Sequence, residues 1–559
     1  MRKPEFTEFF ELMLAGTLHL HIICTSRVSI GAGRTYTVKS LDCDSSLGEK
    51  SESVSLLLSF ARHAKQRAFG LGTEQLAMVA RRVSGIPLAL GLAAGCLASQ
   101  SFADFESGFG NAGRSPFVLA ERFTTELPLR QILMHSFALL SQHERNVMRC
   151  VSVLEGEFSL DEAVIVGSPV NTSSQDVEHL AGIGFIEQSE PGHKLFRVHD
   201  AILEFLTKSA RSIDEMLIQS QAQSAHFGLF ASHAQEFGVL MAEGKWDIGV
   251  GAIFKCTPNF RRATKYASNH DEPEQIAKLA DGLARTYLEA GFLSDFESLS
   301  KIASISARKS GDLGLLSRML GLQGALASRR SQAQECEHLW QERLSIGKAS
   351  GDVFTASDAL TDLAWHAYEQ AELDKALTYL DEAEVLAHEA NVPELVATAQ
   401  VIKSRIEQAM GQLELATLNL HRCEETIKEC SNRDLLMFVY QALTSAYEEV
   451  ANPAMAQNTC LKLLSEAAAG HRAILVGWAL RRLAPLFEQT GQLVLAGQGL
   501  VAAEKVHGEY DTKHRDLAAL ALSDFESRFG EGLKTELALA KLATWPTLVQ
   551  TILDKASRQ

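Results

Sequence analysis

The chain has 559 residues, 46% of them apolar, with 12 prolines and a formal net charge of −16. That length exceeds what one hydrophobic core supports, so several domains are expected, and so few prolines argue against long disordered linkers. The charge is uneven: residues 1–150 hold 16 Lys and Arg against 13 Asp and Glu, so the acidic excess lies downstream and argues against a nucleic-acid grip there.

The nine cysteines (Cys24, Cys43, Cys96, Cys150, Cys256, Cys336, Cys423, Cys430 and Cys460) are scattered and form no C-x-x-C pair. That pattern points to reduced thiols in a cytoplasmic protein rather than to disulfides or a zinc site. The opening M-R-K-P-E-F-T-E-F-F carries acids and no apolar core, so no signal peptide is expected. No apolar run is long enough for a membrane span.

In chain order, residues 4–16 read as an amphipathic helix. Residues 18–27, L-H-L-H-I-I-C-T-S-R, read as a buried strand of a parallel sheet. Arg27 ends that strand, and ligands of nucleotide-binding α/β sheets sit at such carboxyl ends. A Gly-rich turn leads to a second strand at 35–41, alternating and β-branched. Helices follow at 52–69, 74–83 and 88–97, with a break at Ser84-Gly85-Ile86-Pro87 that puts proline in the first turn of the third. Residues 101–126 read as a loop with one helix. Helices at 127–140 and 142–154 come next, and Ser141 with Glu144 forms a capping-box pattern at the second. Two more helices at 159–166 and 174–183 precede a hairpin built from 184–188 and 195–198. Helix, helix, hairpin is the order of a winged helix. Residues 151–200 hold nine acids against two Lys or Arg, which argues against DNA binding by that module.

From about residue 275 the chain repeats. Ala284, Gly324, Ala364, Ser404, Thr444 and Ala484 are spaced 40 apart, and so are Phe296, Cys336, Ala376, Ala416, Ala456 and Ala496. Between them fall Gly291, Ser331, Ala371, Gly411, Ala451 and Gly491, where a turn belongs. Each unit reads helix–turn–helix, with small residues that let the helices approach closely. This is the logic of a tetratricopeptide-type solenoid, whose usual period is about 34 residues. The tryptophans Trp340 and Trp365 are expected in the core, and the Asp and Glu of the repeats on a solvated face. His19, His21 and His63 show no metal-ligand spacing.

Four short pieces resemble one family. Ile23-Cys24-Thr25-Ser26-Arg27 is similar to a strand ending in T-S-R. Gly85-Ile86-Pro87-Leu88-Ala89-Leu90 is similar to a G-L-P-L-A-L motif. Leu139-Leu140-Ser141 lies in a segment like the one that opens a winged helix, and Phe196-Arg197-Val198-His199-Asp200 resembles the M-H-D motif that closes it, with Val for Met. In this order they resemble the NB-ARC class of signal-transducing ATPases (the STAND group), above all bacterial regulators with C-terminal tetratricopeptide arrays. The resemblance implies an ADP/ATP site in which Arg27 reads the γ-phosphate. Pro87, after Gly85, would pack on adenine, His199 would hold the β-phosphate of ADP, and Asp200 would fix the loop presenting His199.

One departure is large. The chain has no G-x-x-x-x-G-K-[ST] and no acidic strand for Mg²⁺; G-E-G-L-K-T at 530–535 has the wrong spacing. Only 17 residues precede the first strand, and each βαβ unit needs roughly 30. The chain is therefore expected to match the downstream part of such a regulator, to bind no cofactor of its own and to be no enzyme, because phosphoryl transfer lacks both cradle and metal.

The expected fold is mainly α. A truncated α/β nucleotide-binding remnant (1–50) leads to a helical domain with the G-I-P-L motif (51–126), a winged helix (127–210) and a helical connector (211–274). A solenoid of tetratricopeptide-like helix pairs (275–530) and capping helices (531–559) complete it. The expected function is sensing or protein interaction through the array, with a protein partner or small inducer, no DNA and no membrane; oligomeric state stays open. The alternatives are a plain scaffold, and an ATP/ADP-dependent transcriptional regulator whose N-terminal part is missing from this sequence.

Overall fold

The computed structural model describes residues 41–43, 51–63, 71–112, 127–189, 194–209, 212–242, 245–289, 292–330, 332–430, 433–469, 472–510 and 512–556. Arg27, the helix expected at 4–16 and the strands expected at 18–27 and 35–41, apart from Leu41, lie outside the described residues. The chain divides into two compact units, residues 1–153 with 157–219 and residues 154–156 with 220–559.

The first unit opens with α1 (Glu52–His63), α2 (Thr73–Arg82), α3 (Pro87–Ser99) and α4 (Phe102–Ala112). Pro87 begins α3, where the missing N–H loses no intrahelical bond. α3 is apolar on nearly every face and all of its residues from Ala89 to Leu97 are buried, as a helix without a polar face requires. A Cβ on Gly95 would lie 2.4 Å from the Ile183 carbonyl oxygen, so only glycine lets that turn lie against the helix.

Next come α5 (Leu127–Leu139), α6 (Gln142–Val151), α7 (Leu160–Val166), α8 (Ser174–Gly182) and α9 (Asp200–Lys208). The capping box forms as expected: Ser141 Oγ accepts from the Glu144 N–H, and the Ser141 N–H donates to Glu144 Oε2 at 2.7 Å. Ser159 with Glu162 and Ser173 with Asp176 repeat the device on α7 and α8. Strands β1 (Glu157–Ser159), β2 (Glu187–Gln188) and β3 (Leu195–Arg197) form an antiparallel sheet in the order β1-β3-β2, with Phe158 opposite Phe196. β1 has no counterpart among the expected elements, because three residues are too few for alternation to show. Arg149 is 3% exposed and pairs with Glu215 at 3.1 Å, while its guanidinium lies 5.9 Å from the Phe137 ring centre.

After α10 (Ile213–Ala242) and α11 (Trp246–Ala267) the second unit becomes periodic. Its first helices are α12 (Pro273–Glu289), α14 (Leu313–Arg329), α16 (Val353–Glu369), α18 (Pro393–Ala409), α20 (Arg433–Glu449) and α22 (Ala473–Gln489), each starting 40 residues after the last. Their partners keep the same step: α13 (Leu293–Ser310), α15 (Ala333–Ser350), α17 (Leu373–Glu389), α19 (Leu413–Cys430), α21 (Pro453–Ala469) and α23 (Leu493–Tyr510). Then follow α24 (Thr512–Phe529), α25 (Lys534–Leu542) and α26 (Trp545–Ala556). Both anchor series are buried throughout.

The turns explain why the units hold register. Ala371, Gly411, Ala451 and Gly491 all have left-handed φ, from 53° to 77°. Each lets the next residue bond back across the helix end: Glu372 to Ala367 O at 2.8 Å, Gln412 to Glu407 O at 2.8 Å, Asn452 to Tyr447 O at 2.9 Å and Gln492 to Phe487 O at 2.7 Å. That is the Schellman closure, which satisfies an orphan carbonyl and sets the second helix going. Gly291 and Ser331 lie outside the described residues.

Candidate functional site

The positions suggested by the family resemblance are placed as follows. Gly85 has φ 61°, after Ser84 at 57°. A Cβ on it would meet the Leu41 carbonyl oxygen at 2.4 Å, and the Leu41 N–H donates to Gly85 O at 3.3 Å. Glycine is thus needed where the end of the expected second strand crosses the G-I-P turn. Asp42 O then accepts from Ser51 Oγ at 2.7 Å and from the Ser53 N–H at 3.1 Å, tying that strand end to α1. Pro87 is exposed. His199 caps α9: its Nδ1 accepts from the Ala201 N–H at 3.1 Å, so a neutral ring carries its proton on Nε2, which makes no hydrogen bond among the described residues. Asp200 is exposed in the first turn of α9. No hydrogen bond or ion pair among the described residues joins Gly85 or Pro87 to His199 or Asp200.

Among the described residues no group of His, Cys, Asp and Glu could hold a metal ion, and no helix is long and apolar enough to cross a membrane. Burial pushes the thiols of Cys150, Cys336 and Cys423 up to about 12, so they are not thiolates at neutral pH.

The richest chemistry lies where the helices of the repeats meet. Arg343 of α15 is 8% exposed and reaches α16, where Nη1 donates to Asp362 at 2.7 Å and Nη2 to Asp358 at 2.5 Å. Gly321 makes room: a Cβ there would sit 3.1 Å from the guanidinium carbon. Two carboxylates share one cation. Desolvation at the Arg343 contact, then the neighbouring Asp358, push the Asp362 carboxyl up to about 7 against the pull of Arg343, a shift tempered by the third of the side chain that stays in water.

One pair along, Arg405 of α18 lies 5.8 Å from the Trp365 ring centre and 5.2 Å from that of Phe438. Trp365 and Phe438 are half-buried, as is Tyr368 beside them. Arg405 makes no hydrogen bond or ion pair among the described residues, and its Nε is buried without a partner.

Two expectations are corrected here. Trp340 is core, at 4% exposure, whereas Trp365 is only half-buried: it packs against that core and also stacks on Arg405. Nor are the acids of the repeats uniformly solvated. Glu407 is 7% exposed with Asn419 Nδ2 on both oxygens at 3.2 and 3.1 Å, and Glu424 is 4% exposed with Lys428 at 2.6 Å and Lys462 at 3.3 Å. Asn419 comes from the next helix and Lys462 from the next pair, so local sequence hides them; only Lys428 is local, four residues after Glu424 on the same helix. A signal for Arg405 does exist in the repeat register: its column reads Arg285, Ala325, Trp365, Arg405, Ser445, Pro485.

In fold, the chain is similar to a STAND protein with a tetratricopeptide repeat sensor from Pyrococcus horikoshii. The TM-score is 0.52 at 14% identity, over 95% of this chain and 75% of that one. BtubC from P. vanneervenii aligns over 39% of this chain and 92% of its own, at 16% identity and TM-score 0.33. A Rap protein complexed with competence and sporulation factor aligns over 59% and 92%, at 13% identity and TM-score 0.35. No family model matches the chain, and no curated protein matches it in sequence. The chain thus has a mainly α fold with tetratricopeptide-like repeats, shared with a STAND protein that carries such repeats as its sensor.

Proposed function

We propose that this chain is a cytoplasmic regulatory protein of STAND descent that senses a segment of a partner protein through its helix-pair array and does not hydrolyse ATP by itself. The observation that carries the reading is the array: helix pairs at a constant 40-residue step, with half-buried aromatic and charged side chains on their first helices. Stacked repeats of this kind make extended surfaces suited to reading a peptide chain. The test is to pan the full chain against a random peptide library. Selected peptides should lose at least tenfold in affinity with Trp365→Ala or Phe438→Ala. Failure to select any peptide, or peptides indifferent to both substitutions, overturns the reading.

The first unit supports descent rather than catalysis. Its helices α6 to α8 with the β1–β3 sheet fit a winged helix used as a switch arm, and the acidic surface of residues 151–200 opposes a DNA role. The Nε2 donor of His199 fits a phosphate contact, but the sequence has no Walker motif to complete a nucleotide site. The expected thermal shift with Mg-ADP is therefore nil. A shift that His199→Asn abolishes would sink this view, because asparagine keeps the helix cap and removes only the imidazole.

A further inference from the structure

An orphaned cation on the array points to the chemistry of its ligand. Arg405 is half-buried, and its Nε has left water for no partner. A buried donor left unpaired is destabilising, so a ligand that supplies the missing acceptor is favoured there. Trp365 and Phe438 hold the guanidinium between their rings, which fixes its direction without neutralising its charge. Several other cations along the array are paired. Arg318 has Asp281 at 2.9 Å, Lys403 has Asp381 at 2.8 Å, Arg482 has Glu448 at 2.9 Å and Arg528 has Glu488 at 2.8 Å. Arg343 has two aspartates.

We propose that Arg405, held between Trp365 and Phe438, is the anchor for the carboxylate of an acidic residue that neighbours an apolar one in the bound peptide. This rests on the peptide-binding reading above. The guanidinium fork matches a carboxylate in a bidentate pair, and such charge-assisted bonds strengthen where water is excluded. A single unpaired cation matches a single negative charge. A phosphate dianion fits less well, because Asp358 and Asp362 on α16, the helix that carries Trp365, already outnumber Arg343. The half-buried faces of Trp365, Tyr368 and Phe438 give the apolar neighbour its contact.

The same library supplies the test. Selected peptides should be enriched in Asp or Glu beside Leu, Ile, Val, Met or an aromatic residue. Their affinity should fall at least tenfold with Arg405→Gln and equally when the peptide acid becomes its amide, with Arg405→Lys in between. Arg405→Gln should leave the melting temperature of the free chain unchanged or raised, since it removes an unpaired buried charge; a marked loss would make the residue structural and overturn the proposal. Peptides without acid enrichment, or binding that survives Arg405→Gln, also overturn it while peptide binding stands. Tighter binding of a phosphoserine peptide than of its glutamate counterpart overturns the choice of carboxylate. If Trp365→Ala affects no selected peptide, the peptide reading itself falls.

Discussion

The first unit and the repeat array solve helix packing in opposite ways. In the first unit the close approaches are singular: Gly95 against Ile183 and Gly85 against Leu41 do not recur among the described residues. In the array one contact is restated at each step with different residues. Gly324 faces Trp340, and a Cβ on that glycine would meet the indole nitrogen at 2.3 Å. Forty residues on, the same two positions are Ala364 and Leu380, then Ser404 and Leu420, then Thr444 and Cys460. Over these four steps the second residue falls from Trp through Leu to Cys as the first goes from Gly to Thr, although the first unit has small residues at both places, Ala284 and Ser300. A repeat therefore tolerates exchange at fixed total volume, while a singular contact tolerates none.

The comparison predicts unequal responses to the same substitution. Gly95→Ala should be the more severe, at about 3 kcal/mol, because the new methyl meets main chain that cannot rotate away. Chemical denaturation, with loss of exchange protection in α3, would measure it. A loss below about 1 kcal/mol would mean that the first unit yields as readily as a repeat.

Gly324→Ala should cost about 2 kcal/mol by the clash with Trp340. Trp340→Leu alone should leave a cavity and cost about as much or more. Together they recreate the Ala364–Leu380 pair, so the double variant should recover most of the loss. A double-mutant cycle reads the coupling directly. Simple additivity would break the idea that the repeats trade volume between these positions.

Smaller effects come from the turns. Ala371 and Ala451 adopt left-handed φ of 61° and 53° where two sister units have glycine. A Cβ in that region is disfavoured by about 1–2 kcal/mol, more than the entropy that glycine costs. Ala371→Gly and Ala451→Gly should therefore each stabilise by about 0.5–1 kcal/mol in equilibrium unfolding. A loss of stability would show that the greater freedom of glycine in the unfolded chain outweighs the relief.

The contrast also explains what the sequence discloses. The array was legible because small residues fall every 40 positions, and the turn residues between them are those that accept positive φ. Pro87 and the Ser141–Glu144 box were legible because caps are local. Contacts across large sequence distances were not. Arg405 meets Trp365 of the preceding unit and Phe438 of the following one, and nothing in its own helix announces either. Arg343 likewise finds its aspartates on the next helix, through space that Gly321 leaves open. In the first unit, the Gly85–Leu41 crossing depends on where a strand end lies, which periodicity does not encode.

The Arg343 cluster tests whether the array is neutral to pH. Desolvation and Asp358 hold the Asp362 carboxyl near 7, well above its unfolded value of about 3.9. The folded chain thus keeps a proton that the unfolded chain has lost between those two values. Stability from this group is full below about pH 4 and declines as pH rises through 7. Asp362→Asn mimics the protonated form and should remove that decline. The melting temperature of the variant relative to the parent should therefore rise steadily from pH 4 to pH 7 and level off above. Because Asp362 keeps about a third of its side chain in water, the change should be the smallest of those predicted. A difference that stays flat across the range would mean that Arg343 neutralises both carboxylates at once, and that the cluster is a static brace between α15 and α16.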